Sequence, residues 1–167
     1  MKKIVFPLIL GAVLTTGLGG CLNPAGLMAE GKADSVKVDV QLADSPRPAV
    51  PVSAIKFIDR REVAKAMLGG DKNFEEVGPG LVAKYRAKFL KGDDALATLT
   101  ATVTGTNDPN MLTKEIYDAI EKKTAKLGGT IFLVENVRWD VHSHTDTIFS
   151  GKPTRGVIYG EVLVSKK

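Results

Sequence analysis

Six segments of the chain have the apolar and polar pattern of β-strands. In the first of them, Val36, Val38 and Val40 alternate with Lys37 and Asp39, as expected of a strand with one buried face. The fifth segment is mostly apolar, which is typical of a central strand, and it can form a hairpin with the sixth. The six segments are residues 36–42, 54–59, 74–77, 96–103, 130–139 and 156–165.

The clearest helix is predicted over residues 109–127. Asn107 and Asp108 can cap its beginning, Pro109 suits its first turn, and the pair Gly128-Gly129 ends it. Its apolar positions recur at helical spacing, so that one face is apolar along its whole length. These positions are Leu112, Ile116, Ala119, Ile120 and Leu127.

Two shorter helices are predicted before it. Residues 60–68 can form a helix that ends at Gly69. Residues 81–90 place Leu81, Tyr85 and Phe89 on one stripe, which predicts that these three side chains are buried together.

These elements predict an α+β fold, a small two-layer sandwich in which helix 109–127 packs on a mostly antiparallel sheet. Residues 35–167 form the single predicted domain. Within it, residues 35–51 combine a strand with a proline-rich segment that forbids helix, and they are either part of the domain or an appended arm.

The first twenty residues have the pattern of an export signal. Lys2 and Lys3 precede an apolar run over residues 4–14, which is shorter than the roughly 20 residues needed to span a bilayer. Small residues follow this run, and the segment ends in the tetrapeptide Leu18-Gly19-Gly20-Cys21.

This tetrapeptide resembles the lipobox of a bacterial lipoprotein precursor. The resemblance implies that residues 1–20 are a signal peptide and that Cys21 becomes an N-terminus carrying diacylglyceryl and acyl groups. Residues 21–34 are then the acylated end and a flexible tether. Leu22 stands where inner-membrane lipoproteins of enterobacteria have aspartate, which implies the periplasmic face of the outer membrane. The alternative is a buried structural cysteine after an ordinary signal peptide.

Composition argues against nucleic-acid binding and against an internal disulfide. The formal charge of +4 comes from 23 Lys+Arg and 19 Asp+Glu, and removal of Lys2 and Lys3 leaves 21 − 19 = +2. A nearly neutral exported domain is not expected to bind nucleic acid. Because Cys21 is the one cysteine, the chain has no internal disulfide.

A second resemblance concerns the domain. Phe74-Glu75-Glu76-Val77-Gly78, a helix end and apolar strand at residues 125–133, and a last strand at residues 156–164 are together similar to a group of small envelope lipoproteins. The group includes the Rcs envelope-stress sensor lipoprotein and its uncharacterised relatives. The sensor has domain disulfides that this chain lacks, so the resemblance implies the fold and the envelope setting but no sensing role.

One polar cluster has the chemistry of a metal site. In an extended segment Asp140, His142, His144 and Asp146 point to one face, where two imidazoles and a carboxylate can bind Zn²⁺ or Cu²⁺. The alternative is a solvated hairpin end, in which such residues are common. The basic stretch at residues 84–91 is interpreted as the solvent side of a helix rather than as a site for anionic lipid or cell wall.

No catalytic constellation is recognisable in the sequence. We therefore expect a non-enzymatic lipoprotein without a required cofactor, acting on an unidentified envelope protein or cell-wall partner. The alternative is a periplasmic metal-binding protein that uses His142 and His144.

Overall fold

Five strands form one sheet in the order β1-β3-β5-β4-β2. The computed structural model describes residues 33–106, 109–140 and 153–166. Neighbouring strands are antiparallel except for β2, which runs parallel to β4. The predicted α+β class with a mostly antiparallel sheet is thus confirmed. The strands are β1 (Ala33–Leu42), β2 (Lys56–Ile58), β3 (Asp94–Thr106), β4 (Ile131–Asp140) and β5 (Pro153–Val164).

Helix α3 (Pro109–Leu127) covers one face of the sheet. Four of the five side chains predicted for its apolar face are buried, and they pack against Phe132 and Val134 of β4 and Ile158 and Val162 of β5. The fifth, Ala119, is half-buried. The fully buried positions of α3 are Leu112, Ile116 and Ile120, and Leu127 is 8% exposed.

Helices α1 (Arg60–Leu68) and α2 (Pro79–Phe89) cover part of the opposite face. Ile131 and Leu133 alternate with the α3-facing residues of β4, and they pack in a second core with both short helices. The α3 layer and the sheet therefore form the sandwich, and α1 and α2 add a partial layer behind it.

The proline-rich segment after β1 closes the end of α3. The amide of Arg47 donates to the Leu127 carbonyl at 3.0 Å, and the amide of Val50 donates to the Ala125 carbonyl at 3.1 Å. Carbonyls in the last turn of a helix have no partner within the helix, so these bonds supply it from outside. Since β1 also pairs with β3 along its length, residues 33–51 are integral to the sheet and to α3.

Two details of the sequence prediction are wrong. Residues 74–77 are not a strand, because Asp71–Glu76 form a 3-10 helix. The guanidinium of Arg60 donates hydrogen bonds to the backbone carbonyls of Glu75 and Val77. Phe89 is not buried with Tyr85, since it is 47% exposed while Val82 takes the inner position. Val82 and Tyr85, three positions apart, face the second core, whereas Phe89 is the last residue of α2 and its ring lies against that of Tyr85, with the ring centres 4.9 Å apart.

No helix in the described part of the chain is both long and apolar enough to span a bilayer.

Candidate functional site

A cleft of about 500 Å³ opens between the start of α1, the first turns of α3 and the second half of β4. It exists because the short β2 ends at Ile58, whereas β4 continues to Asp140. Pockets at the carboxyl ends of parallel strands arise in this way in many α and β proteins. We call it the aromatic cleft, and its lining includes Asp59, Arg61, Phe74, Tyr117, Val137 and Trp139.

Tilted aromatic rings in contact form the inner wall of the aromatic cleft. The ring centre of Tyr117 lies 4.5 Å from that of Phe57, and the ring centre of Phe57 lies 5.1 Å from that of Phe132 in the main core. Tilted pairs at these distances are favourable arrangements for aromatic rings. The Tyr117 side chain is therefore held in place by packing that continues into the core.

Trp139 forms the outer wall on β4. Its ring packs onto Gly156 of β5, so closely that a Cβ at Gly156 would lie 2.3 Å from Cζ3 of the indole. Because glycine leaves this space free, the indole lies flat on the sheet and stays half-buried. The ring is thus a preformed apolar surface at the mouth of the cleft.

The charged groups of the aromatic cleft come from the start of α1. Asp59 caps this helix, and its carboxylate accepts from the amides of Arg61 and Glu62 at 2.9 and 3.0 Å. Arg60 donates to backbone carbonyls of the neighbouring 3-10 helix region. The exposed Arg61 guanidinium lies 5.2 Å from the centre of the Phe74 ring, where the cation and the ring attract each other.

Burial raises the pKa of Tyr117, and the nearby Asp59 carboxylate raises it further, against a smaller opposite effect of Arg61. The phenol is therefore protonated at neutral pH and can donate a hydrogen bond. The aromatic cleft thus offers apolar rings, a phenolic donor and an arginine. This combination suits a ligand with an apolar face and an acidic group.

A shallower depression of about 250 Å³ lies on the opposite face of the sheet. Its charged lining includes Asp140, the first residue of the predicted metal site, whose carboxylate accepts from Nε of Arg138 at 2.9 Å. The other members of that site, His142, His144 and Asp146, lie outside the described residues. Among the described residues no group of three or more potential metal ligands comes together. Metal binding by this segment stays a prediction.

The predicted lipobox, Leu18 to Cys21, also lies outside the described residues. The basic stretch of α2 is described. Lys84 and Lys88 are exposed, while Arg86 is half-buried and pairs with Glu161 of β5 at 3.0 Å. The interpretation of these charges as the solvent side of a helix agrees with this arrangement, since the inward-facing cation has a partner.

Sequence reasoning did not find the aromatic cleft. Asp59, Tyr117 and Trp139 belong to three separate predicted elements, and no motif joins them. Asp59 had one usable signal, because an aspartate between a strand and a helix is a typical N-cap. Nothing in the sequence indicated that Asp59 and Tyr117, 58 positions apart, face the same space.

Comparisons with known proteins add little. No protein-family model matches this chain, and no curated protein matches it. Among solved structures it is similar to the crystal structure of the Francisella virulence factor FvfA, with a TM-score of 0.42 and 8% identity. The likeness covers 75% of this chain and 97% of that chain, and it is too distant to carry an argument.

Proposed function

We propose that this protein is a lipid-anchored lipoprotein on the periplasmic face of the bacterial outer membrane, which binds an envelope component in the aromatic cleft and catalyses no reaction. The lipobox-like segment ending at Cys21 supports the anchor. The observation that carries the binding proposal is the cleft itself, with Trp139, Tyr117 and Arg61 around one space.

The chemistry of the cleft supports one class of ligand. Two aromatic faces bind apolar surface, while the Arg61 guanidinium binds a carboxylate or phosphate through paired hydrogen bonds. The Asp59 carboxylate accepts hydrogen bonds from two backbone amides at the start of α1, and these offset part of its negative charge. It therefore repels a bound anion less than a carboxylate without such bonds would. We therefore propose an acidic cell-wall fragment, a molecule that combines sugar or acyl surface with carboxylates, as the class of ligand.

Trp139 provides the test, because it is the only tryptophan of the chain. Titration of the purified protein with soluble acidic cell-wall fragments should change the intensity or wavelength of its fluorescence with saturation. The Arg61→Gln variant should bind at least tenfold more weakly, the magnitude expected for losing one charge-assisted contact. Arg155→Gln is the matched control, since Arg155 is an exposed arginine on the opposite face of the sheet. Equal affinity of both variants, or no saturable signal, would contradict the binding proposal.

The anchor is tested separately. Globomycin inhibits lipoprotein signal peptidase, so treated cells should accumulate the uncleaved precursor. Cys21→Ser should likewise leave the chain unacylated and release it from washed outer membranes. Normal processing in the presence of the drug would refute the anchor and leave ligand binding by the cleft unaffected.

A second proposal is a metal site in the segment of sequence that follows β4. It rests on the alternate spacing of His142 and His144 with Asp140 and Asp146. Zinc or copper titration of the protein should then show uptake at micromolar metal that the His142→Ala/His144→Ala variant loses. Absence of uptake by the unaltered chain would end this proposal.

A further inference from the structure

Strand β1 leaves one edge of the sheet unpaired in the described part of the chain. It is ten residues long, and its outer side carries amides and carbonyls that β3 does not use. Val36 is 37% exposed and Leu42 is 52% exposed. Both lie on the apolar face of the sheet, which α3 covers over the inner strands. Long edges with exposed apolar residues pair readily with another strand.

The sequence of β1 is complementary to itself. We propose that two copies of this protein pair through antiparallel β1 strands about a two-fold axis at Val38, which joins their sheets into one sheet of ten strands. About this axis Lys37 lies opposite the partner's Asp39, and Asp39 lies opposite the partner's Lys37. Both ion pairs lie on the polar face of the sheet. Opposite charges directly across two strands stabilise their pairing.

The apolar side fits the same register. Val36 lies opposite the partner's Val40, and Val38 lies opposite its own copy, so that valines of both chains extend the layer beneath α3. Residues directly opposite each other share a face of the sheet. An axis between two residues would therefore place charged residues opposite valines, and it is excluded by the alternation of β1.

The two neighbouring registers that also place residues of the same face opposite each other are less favourable than the register centred on Val38. An axis at Lys37 places two lysines opposite each other, and an axis at Asp39 places two aspartates opposite each other. Like charges at directly opposed positions destabilise a strand pair. Within one chain, Lys37 and Asp39 already form an ion pair at 2.9 Å, and both side chains are more than half exposed. Pairing at Val38 therefore gathers four alternating charges without burying an unpaired one.

The length of the preceding chain is compatible with this arrangement. Twelve positions separate Cys21 from Ala33, a segment that spans at most about 40 Å. In the proposed pair the two Ala33 residues lie about 34 Å apart, at opposite ends of the joined strands. Two chains anchored at Cys21 can thus reach one membrane, and their confinement there raises the effective concentration of the partner edge.

Cysteine cross-linking of the full chain in membranes tests the register. Ser35 lies opposite the partner's Gln41, so Ser35→Cys/Gln41→Cys should give a disulfide-linked dimer under mild oxidation. Within one chain these positions are about 20 Å apart, too far for a disulfide. The single variants Ser35→Cys and Gln41→Cys should remain at the level of the unaltered chain, which has only Cys21. Equal cross-linking by a single variant, or none by the double variant, would refute the pairing.

Charge exchange tests the contacts independently. Lys37→Asp should weaken dimerisation by roughly tenfold in sedimentation equilibrium, because it creates two like-charge pairs. Asp39→Lys should do the same. The combined Lys37→Asp/Asp39→Lys variant should regain the dimer, since each altered charge again faces its opposite. All the altered residues are exposed, so circular dichroism should show an unchanged fold. Failure of the combined variant to recover would overturn the proposed axis at Val38.

Discussion

The indole of Trp139 lies directly on the backbone of Gly156 in the neighbouring strand, where a Cβ would be 2.3 Å from Cζ3 and 2.5 Å from Cη2 of the ring. A methyl group at this position must displace the ring, since a strand backbone cannot retreat without breaking its ladder. We expect Gly156→Ala to destabilise the protein by about 1 to 3 kcal/mol and to move the Trp139 fluorescence to longer wavelength.

Urea unfolding followed by fluorescence measures both effects. Gly92→Ala is the control, because no atom lies within 4 Å of a Cβ built there. If Gly156→Ala leaves the midpoint and the emission wavelength unchanged, Trp139 does not pack as described.

Two glycines with the same backbone conformation separate strain from crowding. Gly69 has φ +78° with open space around it, and Gly128 has φ +80° with Cβ of Arg47 and the Pro48 carbonyl 2.7 Å from a built Cβ. Gly69→Ala should cost about 1 to 2 kcal/mol, the penalty of a left-handed alanine. Gly128→Ala should cost at least about 1 kcal/mol more, because the proline-rich segment must also move away from the end of α3.

Calorimetry of the two variants under identical conditions gives the difference between their melting temperatures. Equal losses would mean that the contact of the proline-rich segment with α3 contributes no packing constraint at Gly128.

Glu135 lies at the β-bulge of β4, between Val134 and Asn136. Burial raises the pKa of this carboxyl, and the neighbouring Glu161 raises it further. Because the pKa of Glu135 is higher in the folded state, its protonation favours folding. This contribution to the free energy of unfolding is complete below the unfolded pKa of about 4.3, and it is lost as the pH rises through the pKa of the folded state. Glu135→Gln should therefore stabilise the protein at pH 7, by less than about 1 kcal/mol since the group is partly solvated.

The same substitution should have almost no effect at about pH 3, where the carboxyl is largely protonated in both states. Melting temperatures between about pH 3 and 8 test this dependence, with Glu76→Gln, an exposed glutamate of the 3-10 helix, as the control. A benefit that is independent of pH would point to a cause other than ionisation.

Arg86 ties α2 to the sheet. Its guanidinium donates to the carboxylate of Glu161 at 3.0 Å, and to the carbonyls of Leu90 and Asp93 where α2 leads into β3. Arg86→Met keeps much of the side-chain volume but removes all three bonds, so we expect a loss of about 2 kcal/mol. Lys84→Met, an exposed change on the same helix, should stay within about 0.5 kcal/mol in the same denaturation experiment.

The elements with strong local signals were predicted well. Helix α3 has the predicted bounds, because its proline start, its repeated apolar face and its glycine end are all local properties. The alternation of β1 likewise predicted a strand with one buried face, and the apolar run of β4 predicted an inner strand. The strand predicted at residues 74–77 is wrong, because a short apolar and acidic run has no periodicity long enough to distinguish a strand from the 3-10 helix found there.

The sequence by itself determined the α+β class, the helix on the sheet and the resemblance to a lipoprotein precursor, since all of these depend on residues close together in the chain. Only the tertiary structure decided that β2 pairs in parallel with β4 and ends early, which opens the aromatic cleft. It also decided that Asp59, Tyr117 and Trp139 line one space. Strand order and side-chain convergence depend on which distant apolar faces pack together, and no local pattern records that choice.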